Sequence, residues 1–149
     1  MIHISVQQSP IDIAAEMTRA EAAGAGAVAT FTGLVRADDG VGTLELEHYP
    51  GATEAALHKV AEGATERWSL TATIIVHRVG PMYPGERIVF VAATAAHRGA
   101  ALEACAYLID RLKTDAPFWK RETRGVEASW VEARDGDHAA AARWDNSSR

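Results

Sequence analysis

Two hydrophobic periods alternate along this chain, one near 3.6 residues and one of 2, and the changes between them predict its elements. Ser9-Pro10-Ile11-Asp12 reads as a helix start. Ser9 can accept from an orphan backbone N–H, Pro10 loses nothing at the first helical position, and Asp12 suits the positive helix end. That helix is expected to reach about Ala23, where Gly24 and Gly26 stop it. "AVATFTGLVR" (27–36) is β-branched and strand-like, with Arg36 at its end. "TLELEHY" (43–49) sets Leu44, Leu46 and His48 against Glu45, Glu47 and Tyr49, the pattern of a half-buried strand.

From Thr53 to Trp68 the apolar residues return every three or four positions, as on an amphipathic helix. "ATIIVHR" (72–78) is a further strand, "GPMYPGE" (80–86) a turn, and "RIVFVAAT" (87–94) a strand apolar enough to be buried on both faces. Leu102, Cys105, Leu108, Ile109 and Leu112 mark one face of a helix that cannot pass smoothly through Pro117. "VEASWVEA" (126–133) predicts the last strand, and Asp137 can cap a short Ala-rich helix ending near Trp144, with 145–149 as a frayed tail.

The expected order is helix, two strands, helix, two strands, helix, strand and short helix, with neighbouring strands joined by turns. That order predicts an α+β domain with a mixed or antiparallel sheet and packed helices. A length of 149 residues suits one such domain over residues 1–149.

Charge changes the picture at one place. The chain carries 15 Lys+Arg against 20 Asp+Glu, an acidic balance that argues against a general nucleic-acid binder. Yet Arg111 to Arg124 hold five cations (Arg111, Lys113, Lys120, Arg121, Arg124) and two anions, Asp115 and Glu122. Such a patch suits a small anion. The lone Cys105 excludes an internal disulfide, and no stretch approaches the length of a membrane span, so a reducing cytoplasm is expected.

His97-Arg98 lies where a buried strand hands over to a helix, where backbone N–H groups and a guanidinium both favour an anion. Arg36 ends another strand, after a Gly33 that permits close backbone approach. Lys113 sits in a last helical turn, which the helix dipole favours with or without a function. Lys120 follows Phe118 and Trp119, both expected as core anchors. A lysine held among cations and partly desolvated can act as base or nucleophile at neutral pH, and the same patch can equally be a phosphate cradle without chemistry. Cys105, on an apolar helix face, reads as a buried small residue. His48 and His77 lack acidic or Cys partners at ligand spacing, so no metal site is expected.

The segments "TFTGLVR" (30–36), "LELEHYPG" (44–51), "HRVGPMYPGERIVFV" (77–91), "AHRGAALEA" (96–104), "LKTDAPFWKRE" (112–122) and "WVEAR" (130–134) together resemble the molybdopterin synthase catalytic (large) subunit, the MoaE family. The resemblance implies an enzyme that adds two sulfurs to cyclic pyranopterin monophosphate and forms the molybdopterin dithiolene. It implies no metal or organic cofactor. The sulfur donor it implies is a small ubiquitin-like subunit whose C-terminal Gly-Gly carries a thiocarboxylate, in a heterotetramer built on a homodimer of large subunits. By the same resemblance Leu34, Val35, Arg36, His97 and Arg98 contact substrate and phosphate, Lys113 and Lys120 are the functional lysines, Arg121 and Glu122 continue the second lysine's motif, and Arg134 adds an anion contact. Lys113 is then expected to take part directly in sulfur transfer and Lys120 to stabilise developing charge. A noncatalytic module that binds a phosphorylated small molecule or a partner's C-terminal tail is the alternative from another class, and a structural homodimer with a solvated patch is a third.

Overall fold

The structure is a computed structural model that describes residues 1–36, 42–124, 127–131, 140–142 and 144. Among the described residues the elements follow in the order β1 (Ile2–Gln7), α1 (Ile13–Ala22), β2 (Ala27–Leu34), β3 (Thr43–His48), α2 (Ala52–Trp68), β4 (Ala72–Arg78), β5 (Gly80–Met82), β6 (Arg87–Ala95), α3 (Arg98–Asp115), β7 (Phe118–Arg124) and β8 (Glu127–Val131). The strands form two four-stranded sheets, ordered β1-β4-β6-β2 and β5-β3-β7-β8. Among the described strands β1 and β4 run parallel and the other pairs antiparallel, so the expected mixed α+β architecture holds.

The first sheet is covered on both faces. Along β4 and β6, side chains alternate between two apolar clusters, as a period of 2 requires. Ile75, Val89, Val91 and Ala93 meet Leu57, Ala61, Ala104 and Leu108 of α2 and α3 on one face. Ile74, Val76, Phe90 and Ala92 meet Ile11 and Ala20 on the other, beside α1. The Thr94 hydroxyl donates to the Ala20 carbonyl at 3.0 Å and ties α1 to the sheet. A third cluster, Val35, Leu44, Leu46, Val79 and Met82, lies under the second sheet.

Several expectations are corrected. Asp12, not Ser9, caps α1, accepting from the Ala15 N–H at 3.1 Å. Ser9 instead accepts from the Gln7 side-chain amide. Three strands were not expected. In β1 the alternation of Ile2, Ile4 and Val6 turns those side chains to the larger core. β5 pairs with β3 inside the segment expected as a turn. β7 occupies the cationic stretch itself.

Consecutive strands β2 and β3 do not pair with each other. Phe31 to Leu34 are taken by β6, and β3 lies between β5 and β7, so the chain crosses from one sheet to the other through buried Val35. On α3 the buried face is Ala101, Ala104, Cys105, Leu108 and Leu112, and Leu102 is 62% exposed. Small Ala101 and Ala104 lie in that face, and they carry a weaker hydrophobic signal than the leucine beside them. The proposed cap Asp137, Arg134 and the tail 145–149 lie outside the described residues; 140–142 are helical. Among the described residues, no helix is long and apolar enough to cross a membrane.

Candidate active site

Helix α3 separates the candidate residues into two groups. Its N-cap is His97, in extended conformation and without a side-chain cap hydrogen bond, and Arg98 opens the first turn. Both are exposed, beside backbone N–H groups that no acidic residue of the first turn neutralises. Lys113 lies in the last turn. Fifteen residues of helix put Arg98 and Lys113 about 22 Å apart along the axis. One chain therefore does not gather Arg36, His97, Arg98, Lys113, Lys120 and Arg121 into a single pocket.

Arg36 lies away from His97. β2 runs antiparallel to β6, with Ala27 opposite Ala95 and Leu34 opposite Arg87, so Arg36 follows the far end of the sheet. At that end the ladder shifts between Gly33 and Leu34. A β-carbon at Gly33 would lie 2.8 Å from Val89 Cγ1, which is the close approach glycine allows there. Val35 then turns inward, its N–H donating to the Glu86 carbonyl at 2.9 Å and its carbonyl accepting from the Gly85 N–H at 2.9 Å. Leu34 and Arg36 on either side are exposed.

The stretch between the two lysines turns sharply. Pro117 cannot continue α3, and Ala116 before it is extended (φ −87°, ψ 127°). The Pro117 carbonyl accepts from the Thr53 hydroxyl at 2.8 Å, and the same hydroxyl accepts from the Tyr49 N–H at 2.9 Å. Strand β7 then alternates. Phe118, Lys120 and Glu122 stand opposite His48, Leu46 and Leu44, whereas Trp119, Arg121 and Thr123 stand opposite Glu47, Glu45 and Thr43.

Buried Leu44 and Leu46 define the inner face, so Lys120 and Glu122 belong to it and Arg121 to the outer one. Lys120 Nζ lies 3.7 Å from Glu122 Oε1, and Arg121 Nη2 lies 3.3 Å from Glu45 Oε1. Alternation also splits the two expected anchors. Phe118 packs against both the large core and the cluster holding Val35 and Leu46, but Trp119 is half exposed, with its indole N–H on the Tyr49 hydroxyl. Val35, Leu46 and Phe118 in one apolar cluster draw the Arg36 end of β2 and the Lys120 strand to the same side of the molecule.

Two residues set aside at first behave differently from each other. Burial pushes the Cys105 thiol up to about 11, which leaves it a small apolar residue at neutral pH. His77 is buried, and desolvation lowers it to about 4, partly offset by its hydrogen bond to the Arg78 carbonyl at 2.8 Å. A carbonyl only accepts, so Nδ1 carries the proton and the ring is neutral. It stacks on Phe118, 4.1 Å between centroids and 22° between planes.

His48, expected to lack an acidic partner, has Glu54 Oε2 at 3.6 Å, a carboxylate brought there by α2. Glu54 is held below the usual carboxylate value, first by its own backbone N–H and, against desolvation, by the Gly51 N–H and His48. No three His, Cys, Asp or Glu side chains among the described residues are arranged to hold a metal ion.

Known proteins place the chain in a family. The family model described as MoaE protein matches residues 6–115. The molybdopterin synthase catalytic subunit of Pseudomonas aeruginosa is 50% identical over 147 residues, covering 95% of this chain and 98% of that protein. That of Yersinia pestis is 54% identical over 122 residues, covering 80% and 81%. Among solved structures, the molybdopterin cofactor biosynthesis protein E of Burkholderia multivorans is 49% identical, covers 99% of each chain and superposes with a TM-score of 0.85. Molybdopterin synthase from Staphylococcus aureus is 33% identical over 85% of this chain and 95% of that one, with a TM-score of 0.77. With near-complete coverage in sequence and in fold, the chain belongs to the MoaE family of molybdopterin synthase catalytic subunits.

Proposed function

We propose that this protein is a sulfurtransferase of the reducing cytoplasm. It moves sulfur from the thiocarboxylated C-terminal Gly-Gly of a small ubiquitin-like subunit to cyclic pyranopterin monophosphate and so builds the molybdopterin dithiolene. The observation that carries the reading is the near full-length likeness to catalytic subunits, together with two lysines brought to either side of one pinned turn. Both reactants are anionic, a thiocarboxylate and a phosphate, and cations aimed at them lower the repulsion between them. Lys113 takes part directly in the transfer and Lys120, on the inner face of its sheet, stabilises the charge that develops. Leu34, Val35 and Arg36 line the same side, and Glu122 orients Lys120 through their ion pair. Arg121, on the outer face, serves the approach of the acidic tail, and Arg134 adds an anion contact.

His97 and Arg98 belong to the site through a homodimer. Their distance from Lys113 within one chain, about 22 Å along α3, supports a two-fold arrangement in which this end of one copy meets the lysine end of the other. In such a dimer each contact occurs twice. Exposed Leu102, one turn from Arg98, offers apolar surface beside it. The homodimer with two small subunits makes a heterotetramer.

A reconstituted reaction tests the reading. Wild-type protein, thiocarboxylated small subunit and cyclic pyranopterin monophosphate are expected to yield dithiolene, and Lys113→Ala to lose about 100-fold or more in rate with its fold unchanged. Full activity in Lys113→Ala, or loss only through unfolding, would remove Lys113 from the reaction. Binding of the partner's tail without product from the wild type would replace the enzyme by a binding module.

A further inference from the structure

The two lysines are separated by six residues, Thr114 to Trp119, that contain the end of a helix, a proline and the start of a strand. Pro117 removes a backbone donor at this point, and the extended Ala116 leaves the helical ladder. What holds the turn comes from elsewhere in the chain. Thr53, with no exposed surface, places one hydroxyl between two backbone groups, donating to the Pro117 carbonyl at 2.8 Å and accepting from the Tyr49 N–H at 2.9 Å. The next residue, Phe118, is covered by the His77 ring at 4.1 Å. The His77 ring is itself fixed by its Nδ1–H on the Arg78 carbonyl.

We propose that Thr53 and His77 are positioning residues for the reaction, which clamp Pro117 and Phe118 and thereby set the placement of Lys120 relative to Lys113. The inference rests on the functional reading of those lysines given above. It assigns work to two buried polar side chains, each satisfied by hydrogen bonds to backbone. Thr53 supplies a bond no apolar residue can make, from the β3–α2 junction to the turn. His77 joins the first sheet to the second at the residue that begins β7. Two strand residues beyond that ring stands Lys120 on the same face, because side chains two apart share a face. A shift of the β7 backbone at Phe118 therefore carries Lys120 with it. Neutral His77 stacks as a flat plate on Phe118, which an imidazolium buried there would not do without a large desolvation cost.

The test compares Thr53→Val, Thr53→Ser and His77→Phe in the full complex with the thiocarboxylated small subunit. Valine keeps the shape and loses both hydrogen bonds; serine keeps the hydroxyl. Thr53→Val is expected to lower kcat ~10-fold or more while KM for the precursor changes little, because a displaced catalytic group costs rate. Thr53→Ser should restore most of the rate. His77→Phe, which preserves a ring on Phe118, should fall between them. A folded Thr53→Val with wild-type kcat would overturn the proposal, as would a Thr53→Ser as impaired as the valine variant.

A second readout stands independently of turnover. The chain has three lysines, Lys59, Lys113 and Lys120, and Lys59 is exposed on α2, six residues after Thr53. Acylation rates of each, followed by mass spectrometry, should show Lys120 altered against Lys59 in Thr53→Val and restored in Thr53→Ser. If the wild type makes no dithiolene but this labelling pattern appears, the sulfur-transfer reading fails and the clamp stands. Identical labelling in all variants sinks the clamp whether or not product forms.

Discussion

His77 lies face to face with Phe118, and this contact joins a strand of the first sheet to the opening residue of a strand in the second. The imidazole is buried and neutral, with its Nδ1–H on a backbone carbonyl. A histidine in this position makes the fold sensitive to acid.

The sign follows from where protons bind. His77 has an ordinary value of 6.5 and is lowered to about 4 in the folded protein. Above 6.5 it is neutral folded and unfolded, and it contributes no pH dependence. As the pH falls from 6.5 towards 4, the unfolded chain takes up a proton that the folded chain refuses, so stability declines. The full loss, reached below the folded value, is up to about 3 kcal/mol. Urea unfolding of wild type and His77→Phe across this window should show the wild type losing more stability with acid; parallel curves would mean that His77 does not titrate in this way.

A shared site between two copies predicts complementation. Lys113→Ala and Arg98→Ala homodimers should each be inactive. When the two proteins are mixed and allowed to exchange, heterodimers carry one site with both lesions and one with neither. Activity should return to about one quarter of wild type, since half the dimers are mixed and half their sites intact. Complete silence after verified exchange would place His97 and Arg98 outside the site of the neighbouring copy.

Gly26 faces the Ala96 carbonyl oxygen, and a β-carbon there would run into it. This backbone contact sits where β2 begins and β6 ends, just before His97. Gly26→Ala should cost about 1–3 kcal/mol, and thermal unfolding would measure it. Gly24→Ala makes a useful contrast. Nothing stands within 4 Å of a β-carbon at Gly24, and its cost there comes from the positive φ of 69°.

Cys105 should be silent to thiol reagents. It is buried among the alanines of α3 with its thiol raised to about 11, so the thiolate is scarce at neutral pH. Alkylation at pH 7.5 should be slow in the native protein and fast in denaturant. Rapid native labelling would show that α3 opens locally.

Much of the fold is written locally. The 3.6 period of α2, the two-faced apolar runs of β4 and β6, and the alternation of Leu44 and Leu46 each arise from residues near one another in the chain, and the structure follows them closely. The same is true of the placement of His97 at a strand-to-helix handover and of Lys113 in a last helical turn. β1 was missed, although the alternation of Ile2, Ile4 and Val6 is a local signal of it.

The remainder depends on which segments meet. Nothing local says that β2 leaves its neighbour β3 for β6, since pairing partners are chosen by the burial each arrangement achieves. The buried stripe of α3 runs through Ala101 and Ala104, and the way the helix is turned on the sheet leaves Leu102 at the surface. Alternation on β7 becomes an inner Lys120 and an outer Arg121 only when β3 supplies the buried face against which it is measured. Thr53 and His77 join the neighbourhood of the lysines across more than forty residues of chain. By itself the sequence determined the elements, the family likeness and the charged residues, because periodicity and residue type are local properties. Tertiary structure decided the sheet partners, the two separated ends of α3 and the clamp on the turn, because each is a contact between distant segments whose stability comes from packing they make only together.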